Sequence, residues 1–166
     1  MTSTSFSLCS SLILIIVCAF LAIQSSSNPL NDVCTKFKNL DFCYSVLKDY
    51  SHQNLHDLTQ STISLATASA SATNVKINKR YITLCATYYK WAISTLGNAQ
   101  QYLDMGQYEN LKTAANIVRE NAFNCEMAFE MIPGYVSTIT KENDDIQKFS
   151  DIIVVAANFF FNLIRE

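Results

Sequence analysis

The sequence predicts an all-α fold: an up-down-up-down four-helix bundle with a small N-terminal helical hairpin and two disulfides. Three observations support this prediction. The 166 residues include only three Gly and two Pro, whereas sandwiches, barrels and dinucleotide-binding folds need turn glycines at many places. Apolar residues recur at spacings of three and four over most of the chain, as in helices with one buried face. The cysteines are placed symmetrically about two predicted turns.

The charge balance and the apolar content exclude two classes of protein. Twelve Lys and Arg side chains against fourteen Asp and Glu give a formal net charge of −2, which leaves no basic excess for a nucleic-acid backbone. The hydrophobic content of 49% is too high for an intrinsically disordered chain. We therefore expect a folded protein without a nucleic-acid partner.

Residues 1–27 are predicted to be a signal peptide. An uninterrupted apolar stretch covers residues 12–23, which suits a signal peptide but is shorter than the roughly 20 residues of a membrane span. Small residues then predict cleavage before Asn28, which would remove Cys9 and Cys18. The alternative is a buried core helix or a signal anchor. We expect the mature chain to be secreted and to contain no membrane span.

Four cysteines remain after this cleavage, an even number in a chain bound for an oxidising compartment. They allow three pairings, and no C-x-x-C spacing of a zinc or redox site occurs. Residues equidistant from a turn lie at the same height in an antiparallel helix pair. The midpoint of the first two cysteines falls between Lys38 and Asn39, and that of the last two falls at Met105, beside Gly106. We therefore infer two structural disulfides: Cys34–Cys43 and Cys85–Cys125.

The mature chain divides into a helical hairpin extension at residues 28–53 and a four-helix bundle at residues 54–166. Together they form one predicted domain, residues 28–166. The first bundle helix begins near Leu55 and carries a small, partly polar face. We expect it to end near residues 74–78 and to be shorter than its neighbours, at roughly 20 residues against roughly 25.

Stronger apolar stripes predict the other three bundle helices: residues 82–103, 111–132 and 146–163. Gly106 separates the first two of these helices, and Pro133 ends the second. Asp144 and Asp145 are expected in the first turn of the last helix, where acidic groups favour the helix dipole. Short connections make successive helices antiparallel.

No constellation of residues predicts catalysis or a metal site. His52 and His56 are the only histidines; they are four residues apart but lack the H-E-x-x-H pattern, so we expect two solvated side chains. Glu126 and Glu130 are interpreted as a solvated helix face. The chain is therefore predicted not to be an enzyme and to need no cofactor.

An aromatic cluster lies within one turn of the second bundle helix, at Tyr88, Tyr89 and Trp91. Packing in the core and between helices is the first interpretation of these three side chains. A partner-binding anchor is the alternative, since aromatic residues carry much of the binding energy at protein interfaces.

Several motifs resemble those of one known family. They are Cys34 with Leu40-Asp41-Phe42-Cys43, Leu84-Cys85 with the helix that follows, Gln107-Tyr108-Glu109-Asn110-Leu111, and Cys125-Glu126 with Ala128-Phe129. From Val33 to the C-terminus the chain resembles the plant invertase and pectin methylesterase inhibitors. Residues 134–143 are most similar to the branch named as invertase inhibitors. The resemblance implies a secreted four-helix bundle with an N-terminal hairpin and the two disulfides inferred above.

The chain departs from the family pattern at two places. The family's invertase inhibitors carry a Pro-Lys-Phe tripeptide at the turn between the second and third bundle helices, and this tripeptide enters the invertase cleft. The corresponding turn here is Gly106-Gln107-Tyr108, in which Tyr108 supplies the aromatic ring but Pro and Lys are missing. The chain between Asp57 and Cys85 is also shorter than is usual in the family.

The resemblance implies a proteinaceous inhibitor that docks on a plant cell-wall carbohydrate enzyme, invertase or pectin methylesterase, and blocks its substrate cleft. The residues expected to contact this partner are Tyr102, Gly106, Gln107 and Tyr108, at the tip of a helical hairpin. The expected location is the apoplast, with the vacuole as the alternative. Two other functions stay open: an inactive member of the family, and a secreted helical carrier of a small apolar ligand.

Overall fold

The computed structural model describes residues 28–78, 83–131, 134 and 136–165, and every regular element within them is helical. The predicted signal peptide, with Cys9 and Cys18, lies outside the described residues, as does Pro133. The elements in these ranges are α1 Pro29–Lys36, α2 Leu40–Leu47, a 3₁₀ turn Lys48–Tyr50, α3 Leu55–Asn78, α4 Thr83–Asp104, α5 Tyr108–Glu130 and α6 Thr140–Arg165.

Asparagine caps begin the two short helices of the N-terminal hairpin. The side-chain oxygen of Asn28 accepts a hydrogen bond from the backbone N–H of Asn31 at 3.2 Å, and that of Asn39 accepts one from Phe42 at 3.1 Å. These caps satisfy backbone donors that a helix start leaves unpaired. The Cys34–Cys43 disulfide, with Cα atoms 5.5 Å apart, joins the two helices.

The four long helices, α3 to α6, pack as a closed ring. Helix α4 packs against α5, α5 against α6, and α3 against both α4 and α6. Since short connections join successive helices, the order is up-down-up-down. The Cys85–Cys125 disulfide, with Cα atoms 4.5 Å apart, ties the start of α4 to the end of α5. The predicted fold class and both disulfides are confirmed.

Two apolar cores hold the helices together. The main core fills the ring, and α4 lines it with residues spaced three and four apart: Cys85, Tyr89, Ala92, Leu96, Ala99 and Leu103. The second core packs the N-terminal hairpin against α3 and α6: Leu30, Val33, Leu47, Leu58, Ile152 and Ala156 are among its buried members. The ammonium of Lys36 also lies 4.2 Å from the ring centroid of Phe159 in α6, a cation–π contact that adds to this packing.

The expectation of a short first bundle helix is wrong. Helix α3 has 24 residues, against 22, 23 and 26 in the other three bundle helices. Its buried stripe continues past the small residues through Thr73 and Ile77, each only 1% exposed. The helix ends at Asn78, within the predicted range 74–78, so the error lay in its expected length relative to its neighbours.

Helix α6 begins at Thr140, about one turn earlier than predicted, so Glu142 rather than Asp144 lies in its first turn. Among the described helices, it is the one that is long and apolar enough to cross a membrane by length and composition alone. Within its most apolar stretch of 18 residues, 44% is buried inside the protein. Its buried side chains, which include Ile146 and Ile153, contribute to the protein's cores. Core helices of soluble proteins have the same character.

A polar cluster fastens the end of α5 to the start of α6. We call it the Glu126 clamp, formed by Glu126, Ser137, Thr140, Asn143 and Tyr89. The Glu126 carboxylate accepts hydrogen bonds from the Ser137 hydroxyl at 3.1 Å, the Thr140 hydroxyl at 2.6 Å and the Asn143 amide. The Tyr89 hydroxyl donates to Asn143 Oδ1 at 2.7 Å, and burial raises the pKa of Tyr89, which keeps this donor protonated. The expectation that Glu126 belongs to a solvated face is therefore wrong.

Candidate partner-binding site

The turn between α4 and α5 has a fixed backbone shape. Gly106 has a φ of 67°, the left-handed conformation that favours glycine. The Gly106 N–H donates to the Leu103 carbonyl at 3.0 Å, and the Gln107 N–H donates to the Tyr102 carbonyl at 2.8 Å. These two bonds define a Schellman motif, which ends α4 and pairs its last carbonyls. The hairpin tip is therefore a defined surface feature.

Gln107 links this turn to the first turn of α5. Its backbone carbonyl accepts from the Leu111 N–H at 2.9 Å, and its side-chain Oε1 accepts from the Asn110 amide at 2.9 Å. Met105, beside it, is 56% exposed. The tip therefore presents one apolar and one amide side chain on an ordered backbone.

Tyr108 begins α5, and its ring is already engaged within the molecule. It stacks on Phe160 of α6 with ring centroids 4.3 Å apart and planes 4° apart, and it meets Phe161 edge to face at 6.5 Å. A Cβ placed on Gly106 would lie 3.8 Å from the Tyr108 hydroxyl. The phenol therefore reaches back to the turn, with one ring face occupied by the C-terminal helix.

Tyr102 lies half-buried one turn before the tip and faces a small groove between α4 and α5. This tip groove has a volume of about 150 Å³ and is lined by Thr95, Asn98, Tyr102, Asn110, Thr113, Ala114 and Ile117. Asn110 belongs both to this groove and to the hydrogen bond with Gln107. The structure thus gathers all four predicted contact residues at one end of the α4–α5 hairpin.

A second groove continues along the same pair of helices. This tryptophan groove has a volume of about 400 Å³ and is lined by Tyr88, Trp91, Ser94, Thr95, Ile117, Glu120, Asn121 and Asn124. Thr95 and Ile117 line both grooves. Together the two grooves give the α4–α5 face an almost continuous furrow that ends at the hairpin tip.

The aromatic cluster of α4 is divided between the core and this furrow. Tyr89 is 1% exposed and belongs to the main core, whereas Trp91 is 57% exposed. Tyr88 is half-buried and meets Trp91 edge to face at 6.0 Å. The core interpretation is therefore confirmed for Tyr89 and wrong for Trp91, whose role as a partner-binding anchor stays a prediction. The sequence analysis did not identify Ile117 as a groove residue, because a single exposed isoleucine does not create a recognisable sequence pattern.

Histidine, cysteine and carboxylate side chains are the groups that could hold a metal ion or supply a reactive thiol. Among them, no group of three or more His, Cys, Asp or Glu side chains could hold a metal ion. The four described cysteines are all in disulfides, so none of them is a free thiol. His56 Nδ1 lies 3.5 Å from Asp57 Oδ1, and both side chains are substantially exposed.

Alanine substitutions at two glycines test whether the turn needs the left-handed conformation of Gly106. Gly106→Ala is expected to lower the free energy of unfolding by about 1–2 kcal/mol, since an L side chain is strained at positive φ. Gly97 lies within α4, and a Cβ there would meet nothing within 4 Å. Gly97→Ala is therefore expected to raise the free energy of unfolding by about 0.5–1 kcal/mol. Urea unfolding of the two variants measures both effects, and a stabilised Gly106→Ala would contradict the Schellman assignment.

Comparison with known sequences places the chain among plant inhibitors. The model of the family described as plant invertase/pectin methylesterase inhibitor matches residues 28–155. A pectinesterase inhibitor of Actinidia deliciosa is 28% identical, with 93% of this chain and 96% of the relative covered. Pectinesterase inhibitor 2 of Arabidopsis thaliana is 32% identical, with 82% of this chain and 87% of the relative covered.

Solved structures share the fold. A mutant form of a pectin methylesterase inhibitor from Arabidopsis has a TM-score of 0.70 at 22% identity, with 80% of this chain and 97% of that chain covered. A second structure of such an inhibitor, from Arabidopsis thaliana, has a TM-score of 0.60 at 20% identity. The matched family and both sequence relatives are inhibitors, which confirms the expectation of an inhibitor-type protein instead of an enzyme. The chain belongs to the plant invertase/pectin methylesterase inhibitor family.

Proposed function

We propose that the protein is a secreted inhibitor of pectin methylesterase that docks through the tip of the α4–α5 hairpin and blocks the substrate cleft. Both sequence relatives are named as pectinesterase inhibitors, which favours this target. The turn at Gly106-Gln107-Tyr108 also lacks the Pro-Lys-Phe tripeptide of the family's invertase inhibitors. Invertase is therefore the less favoured of the two enzymes.

The observation that carries the proposal is the ordered hairpin tip. The Cys85–Cys125 disulfide holds the far end of the hairpin, and the Schellman turn at Gly106 holds the near end. A surface that is already ordered loses little conformational entropy on binding. Met105 and Gln107 project from it, and Tyr102 lies in the adjoining tip groove.

Secretion is part of the proposal. The apolar stretch at residues 12–23 supports a signal peptide, and disulfides persist in oxidising compartments outside the cytosol. We propose the apoplast as the location, where pectin methylesterase would be met. The vacuole is the alternative.

Titration of the oxidised protein, expressed without residues 1–27, tests the target directly. We expect saturable inhibition of pectin methylesterase at micromolar or lower concentration and no inhibition of invertase under the same conditions. The double variant Met105→Ala/Gln107→Ala is expected to inhibit at least about tenfold more weakly, because interface anchors commonly contribute more than about 1 kcal/mol each.

Leu40→Ala is the matched control, because Leu40 is 46% exposed but lies on α2. Phe42 of α2 packs on Phe149 of α6, whereas the tip packs through Tyr108 on Phe160, about three helical turns further along α6. The inhibition constant of this control is expected to match that of the unmodified protein. Equal inhibition by the tip variant would show that docking uses another surface. Inhibition of invertase alone would reverse the choice of target, and inhibition of neither enzyme would support an inactive family member.

The carrier alternative gains no support from the small residues of α3. Ala66 and Ala70 are fully buried in the main core, together with Ala157 and Phe160 of α6. The small side chains let the helices pack closely, so a bound ligand is not needed to account for them.

A further inference from the structure

The tryptophan groove combines one exposed aromatic surface with several hydrogen-bonding groups. The Trp91 side chain is 57% exposed. Its indole packs edge to face on the Tyr88 ring, with the two ring planes at 71°. The volume of about 400 Å³ lies within the range of roughly 300–1,000 Å³ typical of small-molecule sites. The groove is therefore large enough for a ligand of a few rings.

Polar side chains line the groove from both helices. Ser94 and Thr95 present hydroxyls from α4, and Asn124 presents an amide from α5. Asn121 is only 7% exposed, and its amide donates to the Ile117 carbonyl at 2.9 Å. Asn121 is therefore a polar residue at a buried position of α5, whereas the neighbouring buried residues Val118 and Ala122 are apolar. This amide makes the floor of the groove polar.

The charge of the lining selects between classes of ligand. Glu120 is the one ionisable carboxylate among the lining residues, and no Lys, Arg or His is among them. A carboxylate-bearing ligand would face Glu120 without a cation to offset the repulsion. An uncharged ligand with many hydroxyls meets the hydroxyls and amides without that cost.

We propose that the tryptophan groove binds a neutral oligosaccharide, with Trp91 as the stacking surface. The C–H face of a pyranose ring is apolar and carries slightly positive hydrogens, which complement the negative face of the indole. Its hydroxyls match Ser94, Thr95 and Asn124, which both donate and accept hydrogen bonds. This activity goes beyond inhibition: it would hold the protein on a glycan through a surface next to the docking tip.

The chain contains a single tryptophan, so its fluorescence reports on this groove alone. We expect a saturable change in emission with xylo- or cello-oligosaccharides and with fully methyl-esterified oligogalacturonides. The expected Kd is on the order of 0.1–1 mM, as suits a small ligand in an open groove. De-esterified oligogalacturonides are expected to bind at least about tenfold more weakly, and Glu120→Gln should reduce that difference.

Calorimetry of two variants assigns the binding to the indole. Trp91→Ala is expected to weaken binding at least about tenfold, while its thermal unfolding stays that of the unmodified protein. Phe123→Ala, which removes a 50% exposed ring from the groove between α5 and α6, should bind as the unmodified protein does. The absence of saturable binding up to about 10 mM, or equal binding by Trp91→Ala, would overturn the proposal.

An arm with pectin methylesterase separates a glycan from a protein partner. If the emission of Trp91 responds to the enzyme but to no oligosaccharide, the groove belongs to the enzyme interface and the glycan proposal is wrong. If inhibition fails while oligosaccharides bind, the proposed inhibitory function is wrong and the glycan site stands.

Discussion

Removal of the Cys85–Cys125 disulfide, in the variant Cys85→Ala/Cys125→Ala, is expected to lower the free energy of unfolding by about 4 kcal/mol. The two cysteines are separated by 40 residues, and a bridge across a long segment removes much entropy from the unfolded chain. Both side chains are fully buried, and alanine avoids placing a new polar group in the core. The melting temperature is expected to fall by roughly 10–20 °C, as measured by circular dichroism under oxidising conditions.

The Cys34–Cys43 disulfide is the matched control for this effect. Its cysteines are also fully buried but are separated by only 9 residues. Cys34→Ala/Cys43→Ala is therefore expected to lower the free energy of unfolding by about 2.7 kcal/mol. If the first variant lost no stability, the Cys85–Cys125 bridge would not be holding the bundle. If both variants lost the same amount, loop length would not be the cause.

Loss of the Glu126 carboxylate has the second large expected effect. Glu126→Ala is expected to lower the free energy of unfolding by about 2–4 kcal/mol, since hydrogen bonds to charged groups contribute about 1.5–3 kcal/mol each and the site is partly open to water. Three donors, on Ser137, Thr140 and Asn143, would lose their shared acceptor. Hydrogen exchange should rise first at the start of α6, which the clamp fastens to α5.

Glu130→Ala provides the comparison on the same helix. Glu130 lies one turn further along α5 and is exposed, so its removal is expected to change the free energy of unfolding by no more than about 0.5 kcal/mol. Chemical denaturation of the two variants in parallel measures the difference. A loss of similar size in both variants would show that the carboxylates act through general charge instead of through the clamp.

The local pattern of the sequence was enough for the helices and the cysteine pairs. Leu96, Ala99 and Leu103 repeat at helical spacing and are buried as expected. The turn at Gly106 follows from one glycine between two such stripes, and the pairing of the cysteines follows from their equal distance from it. These inferences succeed because helix periodicity and chain symmetry depend only on positions along the sequence.

The candidate site was predicted only in part. The sequence indicated the hairpin tip, and the structure gathers Tyr102, Gly106, Gln107 and Tyr108 there. It did not show that Tyr108 stacks on Phe160, which is 52 positions away in the chain. Helical spacing placed Tyr89 in the buried stripe with Cys85, but it could not show that Tyr88 and Trp91 line a groove formed together with α5.

Glu126 and Glu130 show most clearly what the tertiary structure decided. In the sequence they are two equivalent carboxylates one helical turn apart, and an exposed face was the natural interpretation of both. The segment leading into α6 covers the first and leaves the second in water. By itself the sequence determined which helices form and how the hairpins close, since those properties depend on local spacing. Only the tertiary structure decided which polar and aromatic side chains are satisfied inside the molecule and which are left exposed, because that depends on contacts between distant segments.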